Sequence, residues 1–494
     1  MLFNSYAFVL VFLPLSLLIH RGLRRAGLDR GSIFALTLLS LFFYGWWNPV
    51  YLLLIVPMVL ANFGVGRLIM ACRVPRPQVA RALLILGLAG NLAVLGWFKY
   101  ANFFVNNVNA LFGADLYLAT IVLPLGISFF TFQKIAFLVD AYRGKVDRLD
   151  LLEFSLFVTF FPQLIAGPIV HHREVLPQFR QRGEVMPNYL AMGVTIFAIG
   201  LAKKVLLADT AAPYASAGFD AAAAGAKLDC LAAWSSALAY TAQLYFDFSG
   251  YSDMAVGAAL LFGIRLPINF ASPYKATSLI DFWRRWHVTL SRFLRDYVYF
   301  SLGGNQRGRI RRYLNLLLTM LLGGLWHGAG WTFVIWGALH GLGLTVNHGW
   351  RAVRPRLRWL PETPGRVERR LGQALTIFAV VLAWVFFRAA DTVSAVEMLK
   401  AMAGMNGVSE AGGNDLRGLV LAAGLLLIAL LAPNTQEITG YTGPSEADRS
   451  DEIMARPGVT LWRPRAGWAA LVGAGFGISV LSLSRVSEFL YFQF

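Results

Sequence analysis

The chain has 494 residues, of which 57% are hydrophobic and only 14% charged, and it carries a formal net charge of +17. That much apolar surface cannot be hidden in a soluble core, so a soluble globular enzyme is excluded and lipid must be the solvent. A soluble protein so basic would suggest nucleic acid, but here Arg and Lys sit in short loops between apolar runs, as on a cytoplasmic membrane face, where some could also meet anionic headgroups or a phosphorylated cofactor.

Apolar runs of roughly 15 to 22 residues recur along the chain, the length needed to cross a hydrocarbon layer of about 30 Å. The first, Tyr6 to His20, has no Lys or Arg before it and no small-residue cleavage site after it, so it reads as a retained membrane helix rather than a signal peptide. The basic loop 21–30 then belongs in the cytoplasm and the N-terminus outside. Spans near 33–47 and 50–66 lead to Arg67, Arg73, Arg76 and Arg81, and spans near 82–98 and 117–138 lead to Arg143, Lys145 and Arg148. The run Leu151 to Val170 is basic on both flanks, with Arg148 before it and Arg173, Arg180 and Arg182 after it, and Pro162 and Gly167-Pro168 interrupt it. Broken backbone at membrane depth is tolerated where protein covers it, so this segment is expected to be re-entrant.

A span near 188–207, an Ala-rich loop at 208–228 and a span near 229–248 follow. Arg265 to Arg312 then holds ten basic and two acidic residues interleaved with Trp, Phe and Tyr, which places it in the cytoplasm or at that interface. Runs 313–326 and 331–348 form a hairpin around Trp326-His327-Gly328-Ala329-Gly330, and spans near 371–388, 416–433 and 467–484 close the series with the C-terminus outside. The expected fold is an all-α polytopic membrane protein of about twelve transmembrane helices plus re-entrant and interfacial helices. It forms one membrane-embedded domain over 1–494, with the active-site region at 265–348. The eye finds no internal repeat of the kind that marks a transporter's inverted halves.

Soluble-enzyme signatures are missing from the sequence: no H-E-x-x-H, no G-x-S-x-G and no P-loop. The cluster Gly473-Ala-Gly-Phe-Gly477 inside an apolar run reads as close helix packing. Polar residues at membrane depth are the functional candidates, because burial there is costly. His327 is the sharpest: it lies between Trp326 and three small residues, so a ligand could approach, and a neutral imidazole can take a proton from a hydroxyl. A hydrogen-bonded packing histidine is the alternative. In Asp281–Tyr297, helical periodicity puts Phe282, Trp283, Trp286, Leu290, Phe293, Leu294 and Tyr297 on one face and Arg284, Arg285, Arg292 and Arg295 on the other. This predicts an amphipathic interfacial helix with His287 at the boundary of the faces, either a site residue or an ordinary interfacial histidine.

Asp247 and Asp253 are expected to form internal ion pairs with Lys203-Lys204. His171-His172 could ligate a metal, but no third ligand lies in sequence reach, so they read as a loop pair. His340 could line the site or pack, His20 and His348 read as interfacial, and Cys72 and Cys230 as small buried hydrophobes with no disulfide.

Five segments resemble the membrane-bound O-acyltransferase family: Leu123–Gln133, Phe160–Ile169, Tyr245–Met254, Ile268-Asn-Phe through Asp281-Phe-Trp-Arg-Arg-Trp-His287, and Gly324–Phe333. The likeness is strongest to the bacterial branch that O-acetylates exported polysaccharides such as alginate, and the ending Phe489–Phe494 fits it too. The resemblance implies a funnel of tilted helices, entered by an acyl donor from the cytoplasm and by an acceptor from the other side. A catalytic histidine sits at the narrow point. His327 matches that histidine and His287 the family's second active-site position.

Combined with the residue reading, this gives acetyl-coenzyme A as donor substrate, with no bound cofactor and no metal. Its phosphates would dock on the 265–312 region, with Arg284, Arg285, Trp283 and Trp286 as contacts. His327 would act as base and His287 would orient or polarise the acyl group. With no soluble hydrolase-like domain visible in the chain, a separate periplasmic acyltransferase is the expected partner, beside the lipid bilayer and an exported polysaccharide, with no nucleic acid. The expected location is the bacterial inner membrane. Transfer of D-alanine to teichoic acid, or of acetate to peptidoglycan or cellulose, would use the same machinery, and a transporter is the remaining alternative.

Overall fold

The computed structural model describes residues 1–181, 187–357, 361, 363–408, 413–444, 462–484 and 490. It is helical, with no strand among the described residues. Lipid demands this, because no water is present to satisfy an open row of backbone N–H and C=O groups. Seven helical stretches are each long and apolar enough to cross a bilayer: Ala7–Arg25, Pro49–Cys72, Pro77–Phe112, Asn188–Ala223, Arg366–Arg388, Gly413–Leu431 and Ala466–Ser484. At most 50% of any of these spans is buried in protein. The count of about twelve is not reached by that measure, since the other helices, among them Asp29–Gly45, Cys230–Leu261, Arg309–His327 and Trp331–Val353, are shorter or more polar.

Two expected loops are helical instead. The span from 82 runs on to Phe112 through a π-helical turn at Gly96–Tyr100, and the following helix begins only at Ile127, after an extended stretch. The Ala-rich segment 208–228 is the helix Asp209–Ala223, continuous with Pro187–Ala202 through a second π-helical turn at Lys203–Ala208. Alanine has the highest helix propensity, and Ala211, Ala215 and Ala222 are buried.

The Cys230–Leu261 helix is the central post, with 27 of its 32 residues buried. Pro187–Ala202 lies against it at backbone distance: a Cβ on Gly200 would sit 2.6 Å from the Gly250 carbonyl oxygen, and one on Gly250 2.7 Å from that of Gly200. Small residues permit this approach, which supplies the packing that apolar burial alone cannot provide in lipid. Two ion pairs lock the same interface, Lys203 with Asp253 and Lys204 with Asp247, each at 2.6 Å. By contrast a Cβ at Gly473, Gly475 or Gly477 meets nothing within 4 Å, so that cluster does not serve helix packing among the described residues.

The Leu151–Val170 segment is broken as its prolines predict, into Leu151–Thr159 and a single turn Phe161–Leu164, followed by irregular buried backbone. Gly126, at φ +70°, faces that turn so closely that a Cβ would lie 2.7 Å from the Leu164 carbonyl oxygen, which explains why the segments 123–133 and 160–169 meet through a glycine. His20 is buried, not interfacial, and shares a hydrogen bond with Ser32 at 2.6 Å. Cys72 and Cys230 are free and half-buried. Arg182 and the Phe489–Phe494 ending, except Leu490, lie outside the described residues.

Candidate active site

The helix expected across Asp281–Tyr297 is broken at its centre. Leu279–Arg285 ends at Trp286 in extended conformation, His287 takes a left-handed φ of +44°, and Val288–Phe293 begins a new helix. The break is held by the extended segment before it. Ala271 N–H donates to the Arg285 carbonyl at 2.9 Å, and Val288 N–H donates to the Asn269 carbonyl at 3.0 Å. A positive φ on a residue other than glycine is strained, and such strain concentrates at functional sites. Its consequence is that His287 sits at 0% exposure inside the protein rather than at an interface.

One hydrogen-bond network sets the His287 tautomer. The Asn269 side-chain oxygen accepts from the Thr289 backbone N–H at 3.4 Å and from its hydroxyl at 3.0 Å. A backbone N–H can only donate, so the atom facing His287 Nδ1 at 3.0 Å is the amide oxygen and Nδ1 carries the proton. Nε2 is then a bare lone pair, and it has no hydrogen-bond partner among the described residues. Thr289 also anchors the broken segment, its hydroxyl accepting from Ile169 N–H at 3.0 Å.

His327 enters from the opposite side, at the last turn of Arg309–His327. The helix stops because Gly328 is extended, and the place a Cβ would take there is filled by the Phe333 ring. Its small size therefore lets the hairpin close rather than admit a ligand. The two imidazole centroids are 6.2 Å apart. Around them stand Phe248 at 4.9 Å from His287, and Trp336 and Phe387 at 5.0 and 5.1 Å from His327. Trp326 bridges both rings, at 6.0 and 4.9 Å.

A cavity of about 410 Å³ lies beside this chamber, lined by Trp283, Leu294, Met320 and Leu344 on its apolar side and by Arg295, Arg312 and His348 among its polar groups. Trp283 links the cavity to His327 through Trp336: it lines the cavity, packs on Trp336 and donates its indole N–H to His340 Nδ1 at 3.2 Å, while His340 also packs on Trp336. Arg312 hydrogen-bonds to His348.

The family model for membrane-bound O-acyltransferases matches residues 85–390, which contain every one of these side chains. The chain belongs to the membrane-bound O-acyltransferase family. Peptidoglycan O-acetyltransferase of Helicobacter pylori is 44% identical to it, over 83% of this chain and 81% of that protein. A probable alginate O-acetylase of Pseudomonas putida is 40% identical across the full length of both chains. Teichoic acid D-alanyltransferase of Streptococcus thermophilus is 29% identical over 53% of this chain and 68% of its own.

In this O-acyltransferase His327 and His287, the two positions singled out in the sequence, come together, and Trp283 lines the cavity and packs on Trp336 next to His327. Trp286 is buried against Phe270, Tyr274 and Trp384 and does not line the cavity. Arg284 is exposed, and Arg285 pairs with Asp281 at 2.8 Å; neither lines the cavity, where Arg295 and Arg312 stand instead.

Two groups escaped sequence reasoning. Asn269 was visible only as part of a motif. Lys99 was counted in an apolar span, yet its ammonium donates to the carbonyls of Trp326 at 2.5 Å and His327 at 2.9 Å, and the Tyr100 hydroxyl donates to that of Leu325 at 2.6 Å. These are carbonyls that a helix C-terminus leaves without partners, and a cation is the favoured group there. A lone lysine within an apolar run was the available signal.

Proposed function

We propose that this O-acyltransferase moves acetyl groups from acetyl-coenzyme A in the cytoplasm across a bacterial inner membrane, for O-acetylation of an exported polysaccharide. The observation that carries the reading is the facing pair His287 and His327, 6.2 Å apart in an aromatic chamber beside a cavity edged with arginines. His327 takes the proton of an acceptor hydroxyl, and the hydroxyl oxygen attacks the thioester carbonyl carbon. The carbon–sulfur bond then breaks, and the leaving thiolate takes the proton back, giving an ester and a free thiol. His287 has its Nδ1–H committed to Asn269, so its bare Nε2 cannot donate to an acyl oxygen. The hydroxyl's single proton goes to His327, so His287 orients the acyl group by packing beside it, a role that replaces polarisation.

Arg295 and Arg312 suit the donor's phosphates better than Arg284 and Arg285, because they face the cavity. A periplasmic acyltransferase would receive the acetyl group and place it on the polymer. The polymer is of the alginate type in this reading, which rests on likeness over the full chain. Peptidoglycan is the second reading, favoured by the 44% identity.

Deleting the gene and measuring ester-bound acetate separately on exopolysaccharide and on peptidoglycan tests this. At least about a tenfold loss on exopolysaccharide alone is expected, since losing a catalyst is worth far more than that. A loss confined to peptidoglycan selects the second reading, and no loss on either overturns both. In inverted vesicles, Arg312→Gln should raise the half-saturating acetyl-coenzyme A concentration by about tenfold, as losing one charge-assisted contact predicts. Arg284→Ala should change it less, and equal effects would remove the cavity from the donor path.

A further inference from the structure

The sequence offered His171-His172 without a third ligand, and the fold supplies one. Asp140, at the end of the Ile127–Tyr142 helix, brings its Oδ2 to 3.7 Å from Nδ1 of both His171 and His172. The candidate ligand atoms of the three residues all lie within 4.8 Å of one another. A separation of 3.7 Å is too long for a hydrogen bond. It is close to the spacing of about 3.3 Å between donors that share a cation with bonds of about 2.0–2.1 Å.

The tautomer points the same way. His172 Nε2 lies 3.3 Å from the Lys145 carbonyl, which can only accept, so the proton is on Nε2 and Nδ1 is a lone pair. An imidazole that donates its far N–H to a carbonyl is the usual second partner of a metal-bound histidine. His172 Nδ1 has no hydrogen-bond partner among the described residues, nor has Asp140 Oδ1, and the two residues are only 5% and 2% exposed. The Tyr297 hydroxyl donates to Asp140 Oδ2 at 2.9 Å and so accepts from His171 Nδ1 at 3.3 Å, a proton that metal binding would displace. A competing charge is present: Lys145 Nζ stands 3.8 Å from Asp140 Oδ1, but on a side chain that is 45% exposed and free to turn outward.

We propose that Asp140, His171 and His172 bind a divalent transition-metal ion. Two imidazole nitrogens with one carboxylate select zinc over magnesium or calcium, which take oxygen donors. The ion would join two segments, the end of Ile127–Tyr142 and the start of His172–Phe179, with Tyr297 of the helical stretch Leu294–Tyr299 hydrogen-bonded to Asp140 beside it. Glu174 in the second of these receives both guanidinium nitrogens of Arg292, at 2.5 and 2.9 Å, and Arg292 belongs to the short helix that begins at His287. The metal is a structural clamp on that helix, and it takes no part in acyl transfer.

The test is metal content and zinc titration of the full chain in detergent, purified without a histidine tag and dialysed against metal-free buffer. Wild type should hold or take up about one zinc per chain. The doubly substituted Asp140→Asn, His172→Gln chain should bind at least about a hundredfold more weakly, since loss of even an outer-shell partner costs 10–100-fold. His20→Gln, which alters a buried histidine outside the cluster, should bind as wild type does. Wild-type protein that takes up no stoichiometric zinc overturns the proposal whatever the variants do. Undiminished affinity in the double variant, or equal loss in His20→Gln, also overturns it. If instead Lys145 and the histidines simply balance Asp140, the titration shows no saturable uptake.

Discussion

The Ala466–Leu481 and Cys230–Leu261 helices are both rich in apolar residues, yet they face opposite problems. Only 11% of the span Ala466–Ser484 is buried in protein, and a Cβ on any of its four glycines would meet nothing within 4 Å. In Cys230–Leu261, Asp247, Asp253, Gln243 and Ser252 are buried together with the apolar residues, and the two aspartates find lysines on a neighbouring helix. The outer helix answers to lipid, which asks for hydrophobicity and little else. The inner one must hold its charged groups within the protein, because an unpaired one there costs several kcal/mol. The proposed site lies on the inner side, where Phe248 of this helix packs on His287.

This comparison can be broken by substitutions on either side. Apart from His327 itself, the largest expected effect is at Asn269, inside. Asn269→Ala leaves the His287 Nδ1–H buried without its acceptor, a loss of about 1–3 kcal/mol that translates into roughly a 10- to 100-fold slower transfer at matched membrane level. Asn269→Asp keeps an acceptor and should recover part of the rate. If both variants run at the wild-type rate, the tautomer is not set by this residue.

Lys99 comes next. Lys99→Met removes the cation that holds the Trp326 and His327 carbonyls, and a fall of about tenfold in kcat with KM unchanged is expected, from the loss of charged hydrogen bonds that only position a side chain. Lys99→Arg should restore most of it, and a change confined to KM would move Lys99 from positioning the histidine to binding substrate.

The smallest effect belongs to the outer helix. Gly475→Ala should leave activity within about twofold and the amount of inserted protein the same or slightly higher, since alanine is the better helix former by about 1 kcal/mol. Gly250→Ala should lower the inserted amount, because its Cβ would meet the backbone of the next helix. Equal behaviour of the two glycines would erase the distinction between shell and centre.

The same division explains what could be read in advance. Hydropathy and arginine placement marked the outer spans, and Pro162 with Gly167-Pro168 marked the broken segment, because each is a local property of the chain. The helix at 209–223 was missed because its small residues read as a loop between larger apolar runs; Ala211, Ala215 and Ala222 pack inward. The turn at His287 was missed because the periodicity of 281–297 is helical throughout; the backbone bonds to Asn269 and Ala271 that break it come from a segment the pattern cannot see. Lys99 and Asp140 were likewise silent, one a lone cation in an apolar run and the other a lone acid, until the fold gave them partners.

The central claim is that His327 takes a proton at a chamber shared with His287. The direct measurement is polymer-bound acetate in cells carrying His327→Gln at a verified wild-type level of inserted protein. Glutamine can hydrogen-bond but cannot take a proton at neutral pH. Loss of a general base costs on the order of 10²–10⁴ in rate, so the account predicts acetate at least about a hundredfold below wild type. Near wild-type acetylation in that variant would contradict it.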